Sequence, residues 1–253
     1  MTLTESKLHR RSPSVTLIFP MAGRGERFGT TFKPFLRVGD QTFIEAAVLP
    51  FRKWRSAISR VLFVFLHQQE LDFSVTGRLE QMFHALPWQA VILEHPTAGP
   101  AVTMTAAIEQ AAVEGAAIIC DCDHAVNVDP LFTALGRAES DACLLPVWDL
   151  AGEDVKSWSV AALTDDGAVT AIAEKAVPSG AKRTAGVIGC YYFQDVAQVA
   201  TVCRREGYLV ISEAVAHLIR QGLRVTAVPI QEAQFFGDPA RLAKAVEAGA
   251  QPK

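Results

Sequence analysis

The residues with the clearest chemical potential follow the first apolar segment of the chain. Three glycines, Gly23, Gly25 and Gly29, lie close to the cationic side chains of Arg27 and Lys33. Glycines let backbone N–H groups approach phosphate oxygens and form an anion-binding concavity. An arginine can hold a phosphate through two parallel hydrogen bonds, and a lysine adds a mobile point charge. This combination predicts a phosphate-binding loop.

The same glycine spacing occurs in the dinucleotide-binding fingerprint of dehydrogenases, which is one alternative. That fingerprint requires a helix directly after the glycines. Here Lys33-Pro34 follows instead, and a proline disfavours helical conformation in the residue before it. The second apolar segment also lacks a closing acidic residue that would hold a ribose. The sequence therefore disfavours a dehydrogenase, and a plain glycine turn with solvated charges is the other alternative.

A second pair of chemically useful residues, Asp121 and Asp123, follows another apolar segment. Residues two apart on a strand share a face, so both carboxylates face a ligand if the strand continues that far. Carboxylates suit Mg²⁺, which bridges one or two of them to phosphate groups. Asp-x-Asp is also the metal motif of nucleotide-sugar-dependent glycosyltransferases, which are an alternative function. Arg27 and Lys33 argue against it, because such enzymes do not typically need a pyrophosphate-binding loop there.

Several motifs together resemble those of the sugar-phosphate nucleotidyltransferases. The most specific is Ala22-Gly-x-Gly-x-Arg-Phe28, followed by Lys33-Pro34. Weaker motifs follow in the family's order: Glu94-His-Pro-Thr-Ala-Gly99, Cys120-Asp-Cys-Asp-His124, Glu174-Lys175, Ala185-Gly186 to Gly189-Cys-Tyr-Tyr-Phe193, and Phe236-Gly-Asp-Pro239. The resemblance covers about residues 15–247. More loosely, it extends to the nucleotidyltransferase superfamily, including cytidylyltransferases of small phosphorylated alcohols.

The resemblance implies transfer of a nucleoside monophosphate from a nucleoside triphosphate to a sugar phosphate, with release of pyrophosphate. No protein nucleophile is needed, because the attacking phosphate is already an anion; catalysis is then positioning and charge neutralisation. Arg27 and Lys33 would be catalytic, and Asp123 would bind Mg²⁺. The implied nucleotide-binding residues are Ala22, Gly23, Gly25, Thr97 and Gly99, and the implied substrate-binding residues are Glu174, Lys175 and Gly189.

The sequence departs from the family pattern at two places. The family usually has a second metal-binding aspartate where this chain has Phe235, and Asp238 is the candidate to replace it. The pair Glu174-Lys175 is followed by alanine rather than proline. Two alternatives therefore stay open: a phosphorylated acceptor that is not a sugar, and a degenerate family member that binds nucleotide without turning it over.

The segments that must position these residues alternate between strand and helix character up to about residue 150. Strands are predicted at 15–19, 60–66, 89–93, 116–120 and 142–147, and helices at 43–54, 75–86, 101–113 and 130–138. This alternation predicts an α/β fold with a Rossmann-like, doubly wound, mostly parallel sheet. Ligands of such sheets bind at the carboxyl ends of the strands.

The pattern changes in the second half of the chain. Strands are predicted at 158–163, 169–173, 186–193 and 224–229, and helices at 195–205, 211–221 and from 239. We interpret this second half as an insertion over the active edge of the sheet, which provides a β-rich substrate-binding region. The sequence shows no repeat or linker, so we predict a flexible tail at 1–13 and a single domain at 14–253.

Composition and charge restrict the partners and the compartment. The chain has 253 residues, of which 50% are hydrophobic, and a formal net charge of −3. The charge disfavours nucleic acid as the main partner, and no segment approaches the roughly 20 apolar residues of a membrane helix. Five cysteines without a Cys-x-x-Cys pair predict neither a disulfide framework nor a zinc site and favour the cytoplasm. The resemblance adds a homo-oligomer as an expectation.

Overall fold

The structure is a computed structural model that describes residues 14–23, 26–29, 31–137 and 141–249. The predicted tail at 1–13 lies outside the described residues. The strands are β1 (Val15–Pro20), β2 (Arg37–Val38), β3 (Gln41–Thr42), β4 (Ile58–Leu66), β5 (Trp88–Leu93), β6 (Ala117–Cys120), β7 (His124–Val126), β8 (Cys143–Trp148), β9 (Ser159–Leu163), β10 (Val169–Glu174), β11 (Thr184–Val187), β12 (Cys190–Phe193), β13 (Val225–Pro229) and β14 (Ala233–Phe235).

The helices flank these strands along the chain. They are α1 (Phe43–Val48), α2 (His67–Phe73), α3 (Val75–Phe83), α4 (Pro100–Gln110), α5 (Asp129–Leu135), α6 (Val196–Glu206), α7 (Ile211–Arg220) and α8 (Pro239–Gly249). Single turns of 3-10 helix lie at Glu26–Phe28, Lys33–Phe35 and Val155–Ser157, and a longer 3-10 helix at Leu49–Ala57. No helix in the described part of the chain is long and apolar enough to span a membrane.

Ten strands form one sheet in the order β10-β9-β11-β8-β12-β6-β1-β4-β5, with β13 paired to β8. The strands of the first half, β6-β1-β4-β5, are parallel. The β9–β11 strands of the predicted insert extend this sheet through antiparallel pairs. The α/β, Rossmann-like, doubly wound class with an inserted β-rich region is confirmed.

Helices cover both faces of the sheet, which explains the near-continuous apolar character of its central strands. Successive side chains of a strand point to opposite faces. Ile18 of β1 thus packs in the same cluster as residues of α4, α6 and α7, such as Met104. Its neighbours Leu17 and Phe19 pack with residues of α1, α3 and α5, such as Phe83. Burial on both faces fixes β1 and its carboxyl end in place.

Two predicted elements differ from the structure for identifiable reasons. The helix predicted at 43–54 leaves α geometry after Val48, where Pro50 at the start of a 3-10 helix cannot donate a backbone hydrogen bond. The strand predicted at 186–193 is divided into β11 and β12. Both pair with β8, but the register shifts by two residues between Val187↔Val147 and Tyr192↔Leu144. Strand interruptions of this type are over-represented next to active sites.

Helix α1 begins with a capping box that we predict to be stabilising. Glu45 N donates to Thr42 Oγ1 at 3.3 Å, and Thr42 N donates to Glu45 Oε2 at 2.8 Å. Replacing Thr42 by alanine is expected to lower the free energy of unfolding by about 1 kcal/mol in urea denaturation, because the cap satisfies orphan N–H groups. The control is Thr133→Ala on the exposed face of α5. An equal loss in both variants would contradict the capping role.

Candidate active site

The carboxyl ends of β1 and β6 lie side by side in the sheet and open onto two adjoining cavities. The first, here called the loop cavity, has a volume of about 450 Å³. The second, here called the insert cavity, has a volume of about 240 Å³. Four residues line both cavities and form their shared wall: Arg27, Asp121, Asp123 and Gly237.

The loop cavity contains the predicted phosphate-binding cations. Arg27 lies on a 3-10 turn whose Phe28 packs edge-on against Phe43, with 5.9 Å between ring centroids. Lys33 begins the next 3-10 turn, where the buried side chains of Pro34 and Phe35 fix its backbone. The proline predicted to stop an α-helix therefore anchors Lys33 instead. Gly23 also lines this cavity, whereas Gly25 lies outside the described residues.

Asp123 of the shared wall forms an ion pair with Lys33 of the loop cavity, between Lys33 Nζ and Asp123 Oδ2. Burial by itself would lower the pKa of Lys33, but the adjacent Asp123 carboxylate outweighs it and raises that pKa. Burial likewise opposes ionisation of Asp123, but His124 and Lys33 hold the pKa of Asp123 well below its usual range. Both groups are therefore charged near neutral pH, and Lys33 is available to an anion in the loop cavity.

The unpredicted strand β14 places a glycine against Asp123. It pairs with β7, where Phe235 lies opposite His124, and Phe236 N donates to Asp123 O at 3.0 Å. A Cβ atom on Gly237 would lie 2.6 Å from Asp123 Oδ2. Only a residue without a side chain leaves the carboxylate in this position, so Gly237 sets the place of Asp123 in the wall.

Asp121 has an equivalent glycine partner at the interruption between β11 and β12. Asp121 N donates to Gly189 O at 2.7 Å, and a Cβ atom on Gly189 would lie only 2.0 Å from Asp121 Oδ2. Burial and the neighbouring Asp123 charge raise the pKa of Asp121 to about 6. Gly189, expected to contact substrate, lines the insert cavity and makes room for Asp121 there.

We predict that Gly189→Ala lowers the free energy of unfolding by about 1–3 kcal/mol, the usual cost of overpacking. The matched control is Gly77→Ala in α3, where an added Cβ meets nothing within 4 Å and helix propensity favours alanine. Chemical denaturation measures both changes. Adding Asp121→Ala to Gly189→Ala should restore much of the loss, since the double variant lacks the clashing carboxylate; independent, additive effects would contradict this account.

The predicted pair Glu174 and Lys175 is separated in the structure. Glu174 lines the insert cavity, and its Oε2 accepts from Ser159 Oγ at 2.5 Å and from Ser212 Oγ at 3.1 Å. Lys175 has a left-handed backbone, with φ of 56°, and its N–H donates to Trp158 O at 2.8 Å. It is not among the residues that line either cavity. Glu174 is therefore the member that the structure brings to the site.

Three predicted nucleotide-binding residues and one predicted metal ligand are not among the residues that line the two cavities: Ala22, Thr97, Gly99 and Asp238. Thr97 Oγ1 lies 2.6 Å from Thr103 Oγ1. A Cβ on Gly99 would meet Leu209 O at 2.3 Å, so this glycine serves a close backbone contact. Asp238 Oδ1 accepts from Arg241 N at 2.9 Å.

Several residues at the site gave no clear signal in the sequence. His124, interpreted as a structural residue without a visible partner, has Nδ1 3.7 Å from Asp123 Oδ1 and Nε2 3.5 Å from Cys120 Sγ. Phe235, Trp158 and Arg241 line the insert cavity. Phe235 is brought to His124 by the β7–β14 pairing, which joins positions about 110 apart in the sequence. Periodicity within a short window does not report such pairings.

The donor set of the shared wall fits Mg²⁺ held jointly with a ligand. Asp121 and Asp123 bring two carboxylates to it, and among the described residues no group of three metal-ligating side chains occurs. Mg²⁺ typically binds through one or two carboxylates plus substrate phosphates and keeps several waters. The glycine cradles at positions 189 and 237 show that both carboxylates have room at this wall.

Solved structures share this fold over almost their whole length. A nucleoside-diphosphate-sugar pyrophosphorylase from Vibrio cholerae RC9 is 23% identical, with a TM-score of 0.75 and coverage of 91% of this chain and 99% of that one. A putative glucose-1-phosphate thymidylyltransferase from Bacillus anthracis is 16% identical (TM-score 0.77; 95% and 96% covered). A UTP-bound UGPase from Acinetobacter baumannii is 18% identical (TM-score 0.76; 95% of each chain covered).

The comparison by sequence gives a more specific result. A search of curated proteins found no match. The family model described as the MobA-like NTP transferase domain matches residues 18–183. This range contains the loop cations, both aspartates of the shared wall and Glu174. Because the match spans more than half of the chain, the protein belongs to the family of MobA-like NTP transferase domains.

Proposed function

We propose that this nucleotidyltransferase transfers a nucleoside monophosphate from a nucleoside triphosphate to a sugar phosphate or a related small phosphorylated compound, releasing pyrophosphate. The observation that carries the proposal is the ion pair between Lys33 of the loop cavity and Asp123 of the wall that separates the two cavities. The names of the structural neighbours, which include a pyrophosphorylase and a thymidylyltransferase, support a sugar phosphate as acceptor. The NTP transferase family does not favour the glycosyltransferase alternative.

The loop cavity would take the triphosphate. Arg27, Gly23 and Gly25 would hold the β- and γ-phosphates through guanidinium and backbone N–H groups. Lys33 would stabilise the charge that develops around the α-phosphate. The nucleotide would contact the backbone rather than the side chains at Ala22, Thr97 and Gly99. The side chain of Thr97 is engaged with Thr103, and Gly99 packs closely against Leu209.

The insert cavity would take the acceptor. Its phosphate oxygen would attack the α-phosphorus at the shared wall, in line with the departing pyrophosphate. Glu174 has Oε2 fixed by two serine hydroxyls, which leaves Oε1 to accept a hydroxyl of the acceptor. Lys175, next to Glu174 in the chain, would contact the acceptor from the edge of the insert cavity. Holding both reactants at one wall converts a bimolecular step into an effectively unimolecular one, which is the main catalytic contribution expected here.

Asp123 and Asp121 would hold Mg²⁺ together with the triphosphate. When bound, the ion neutralises phosphate charge and orients the reacting groups. Asp123 is kept ionised by Lys33 and His124, so it is ready to bind a cation without first losing a proton. We also propose a cytoplasmic location, supported by five free, buried cysteines, and a homo-oligomeric state, supported by the family resemblance.

A thermal-shift panel tests the proposal directly. The four ribonucleoside triphosphates and dTTP are each compared with and without Mg²⁺, beside nucleotide sugars and NADPH, on wild type and Lys33→Ala. A ligand at 100 times its Kd stabilises by about 2.7 kcal/mol, which shifts Tm by several degrees. One triphosphate should stabilise the protein with Mg²⁺, and pyrophosphate should be released when a sugar phosphate is added.

Stabilisation by nucleotide sugars or NADPH alone would overturn the proposal. Binding that is indifferent to Mg²⁺, without pyrophosphate release, would indicate a degenerate binding protein.

A further inference from the structure

The insert cavity has an unfavourable charge for an anionic acceptor. Asp121, Asp123 and Glu174 line it, and each carries a carboxyl group. In the described part of the chain, the arginines whose side chains line this cavity are Arg27 and Arg241. Arg27 also faces the loop cavity, where the triphosphate would occupy it. Arg241 therefore remains the guanidinium that a phosphate monoester in the insert cavity can use while a triphosphate occupies Arg27.

Arg241 is held in place by contacts on three sides. Nη2 donates to Glu153 Oε2 at 3.1 Å, and Nη1 lies 3.3 Å from Asp238 Oδ2. The guanidinium carbon lies 4.6 Å from the centre of the Trp158 ring, within the range of a cation–π interaction. Trp158 is itself buried and packs edge-on against Phe235. The side chain of Arg241 is 23% exposed, so a ligand in the cavity can reach it.

Asp238 fixes both ends of Arg241. Its Oδ1 accepts from the backbone N–H of Arg241 at 2.9 Å, while Oδ2 faces the guanidinium. A guanidinium has five N–H donors in a planar fork, and the two carboxylates contact only Nη1 and Nη2. Donors remain for an oxyanion, and a fork that is already oriented loses less conformational freedom on binding than a mobile lysine does.

We propose that Arg241 binds the phosphate group of the acceptor in the insert cavity, with Asp238 as its positioning residue. The inference rests on the proposed function, because it assigns a group to the acceptor side of the same reaction. In this arrangement Asp238 acts by orienting Arg241, and the aromatic ring of Trp158 supports the guanidinium through a cation–π contact. Charge-assisted hydrogen bonds from the fork would offset the repulsion of the Glu174 carboxylate for the acceptor phosphate, while Lys33 and Mg²⁺ would balance the charges of the two aspartates.

Isothermal titration calorimetry on the whole 253-residue chain tests the inference. Inorganic phosphate and α-D-glucose 1-phosphate are titrated with Mg²⁺ and the α,β-methylene analogue of the triphosphate that the panel identifies, which fills the loop cavity. Arg241→Gln should weaken phosphate binding by about tenfold or more, as expected for a charged hydrogen bond, while the Kd of the analogue changes less than twofold. Arg241→Lys, which keeps the charge but loses the fork, should weaken it by a smaller factor.

Glu153→Gln separates a ligand-binding role from a structural ion pair. If Arg241 binds phosphate, removing the competing charge of Glu153 should leave phosphate affinity unchanged or increase it. If Glu153→Gln weakens phosphate binding as much as Arg241→Gln does, the arginine is only structural and the inference is overturned. It is also overturned if wild type and Arg241→Gln bind phosphate equally, or if wild type binds none. Should Arg241→Gln not fold, equal phosphate affinities of wild type and Arg241→Lys would likewise reject the role of Arg241.

The outcome is distinguishable from failure of the proposed function. If no triphosphate binds and no pyrophosphate is released by wild type, the proposed function fails. The phosphate titration, repeated without nucleotide, then still reports whether Arg241 binds an oxyanion. If wild type is active and only the Arg241 comparison shows no difference, the proposed function stands and the role of Arg241 is rejected.

Discussion

Lys33→Ala is expected to lower kcat by about 10²–10³, the usual effect of removing one group that stabilises developing charge. Lys33 lines the loop cavity with its ammonium group on Asp123 of the shared wall, where the α-phosphate and the acceptor oxygen would meet. Its charge is maintained, because Asp123 raises the pKa of Lys33 despite burial. Steady-state pyrophosphate release with saturating triphosphate and acceptor measures the change.

The control for Lys33 is a lysine with a similar ion pair whose members line neither cavity. Lys53 pairs with Asp129 at the surface, and Lys53→Ala should leave kcat within about twofold because exposed ion pairs contribute little. Tm of both variants shows whether a loss of rate reflects unfolding. If Lys33→Ala raised KM for the triphosphate but left kcat unchanged, Lys33 would bind substrate and transition state equally and would not stabilise developing charge.

Asp123→Ala is expected to abolish Mg²⁺-dependent stabilisation by the triphosphate and to lower activity by more than about 100-fold, since loss of even an outer-shell partner of a metal ligand costs 10–100-fold. The carboxylate of Asp123 has its position set by Gly237 and forms an ion pair with Lys33. Electron paramagnetic resonance of Mn²⁺, titrated in the presence of the triphosphate, measures metal affinity without requiring turnover.

Asp238→Asn is the matched comparison for the metal site. Asparagine keeps an oxygen that can cap α8, and the carboxylate of Asp238 is engaged with Arg241. We expect Mn²⁺ affinity to be unchanged in Asp238→Asn and strongly reduced in Asp123→Ala. Equal losses in both variants would show that Asp238 takes the place of the family's second aspartate. Unchanged affinity in Asp123→Ala would remove Asp123 from the metal site.

The sequence was sufficient for the elements whose signal is local. Apolar runs such as 15–19 and 60–66 predict strands buried on both faces, and the structure confirms them as β1 and β4. Side-chain alternation and helix spacing repeat within a few residues, so a short window reveals them. The glycine-rich loop with Arg27 and Lys33 is also a contiguous segment. It was predicted as a ligand-binding loop because ligands of open α/β sheets bind at the carboxyl ends of the strands.

Only the tertiary structure decided which distant residues meet at the shared wall. Gly189 and Gly237 each leave room for an aspartate more than 65 positions away, and the pairing of β7 with β14 brings Phe235 to His124. The same packing engages Asp238 with Arg241 rather than with the cavities. Such contacts depend on the relative placement of elements, which is determined by burial of whole faces against each other. The sequence therefore determined the chemistry that is available, and long-range packing decided which side chains can act together.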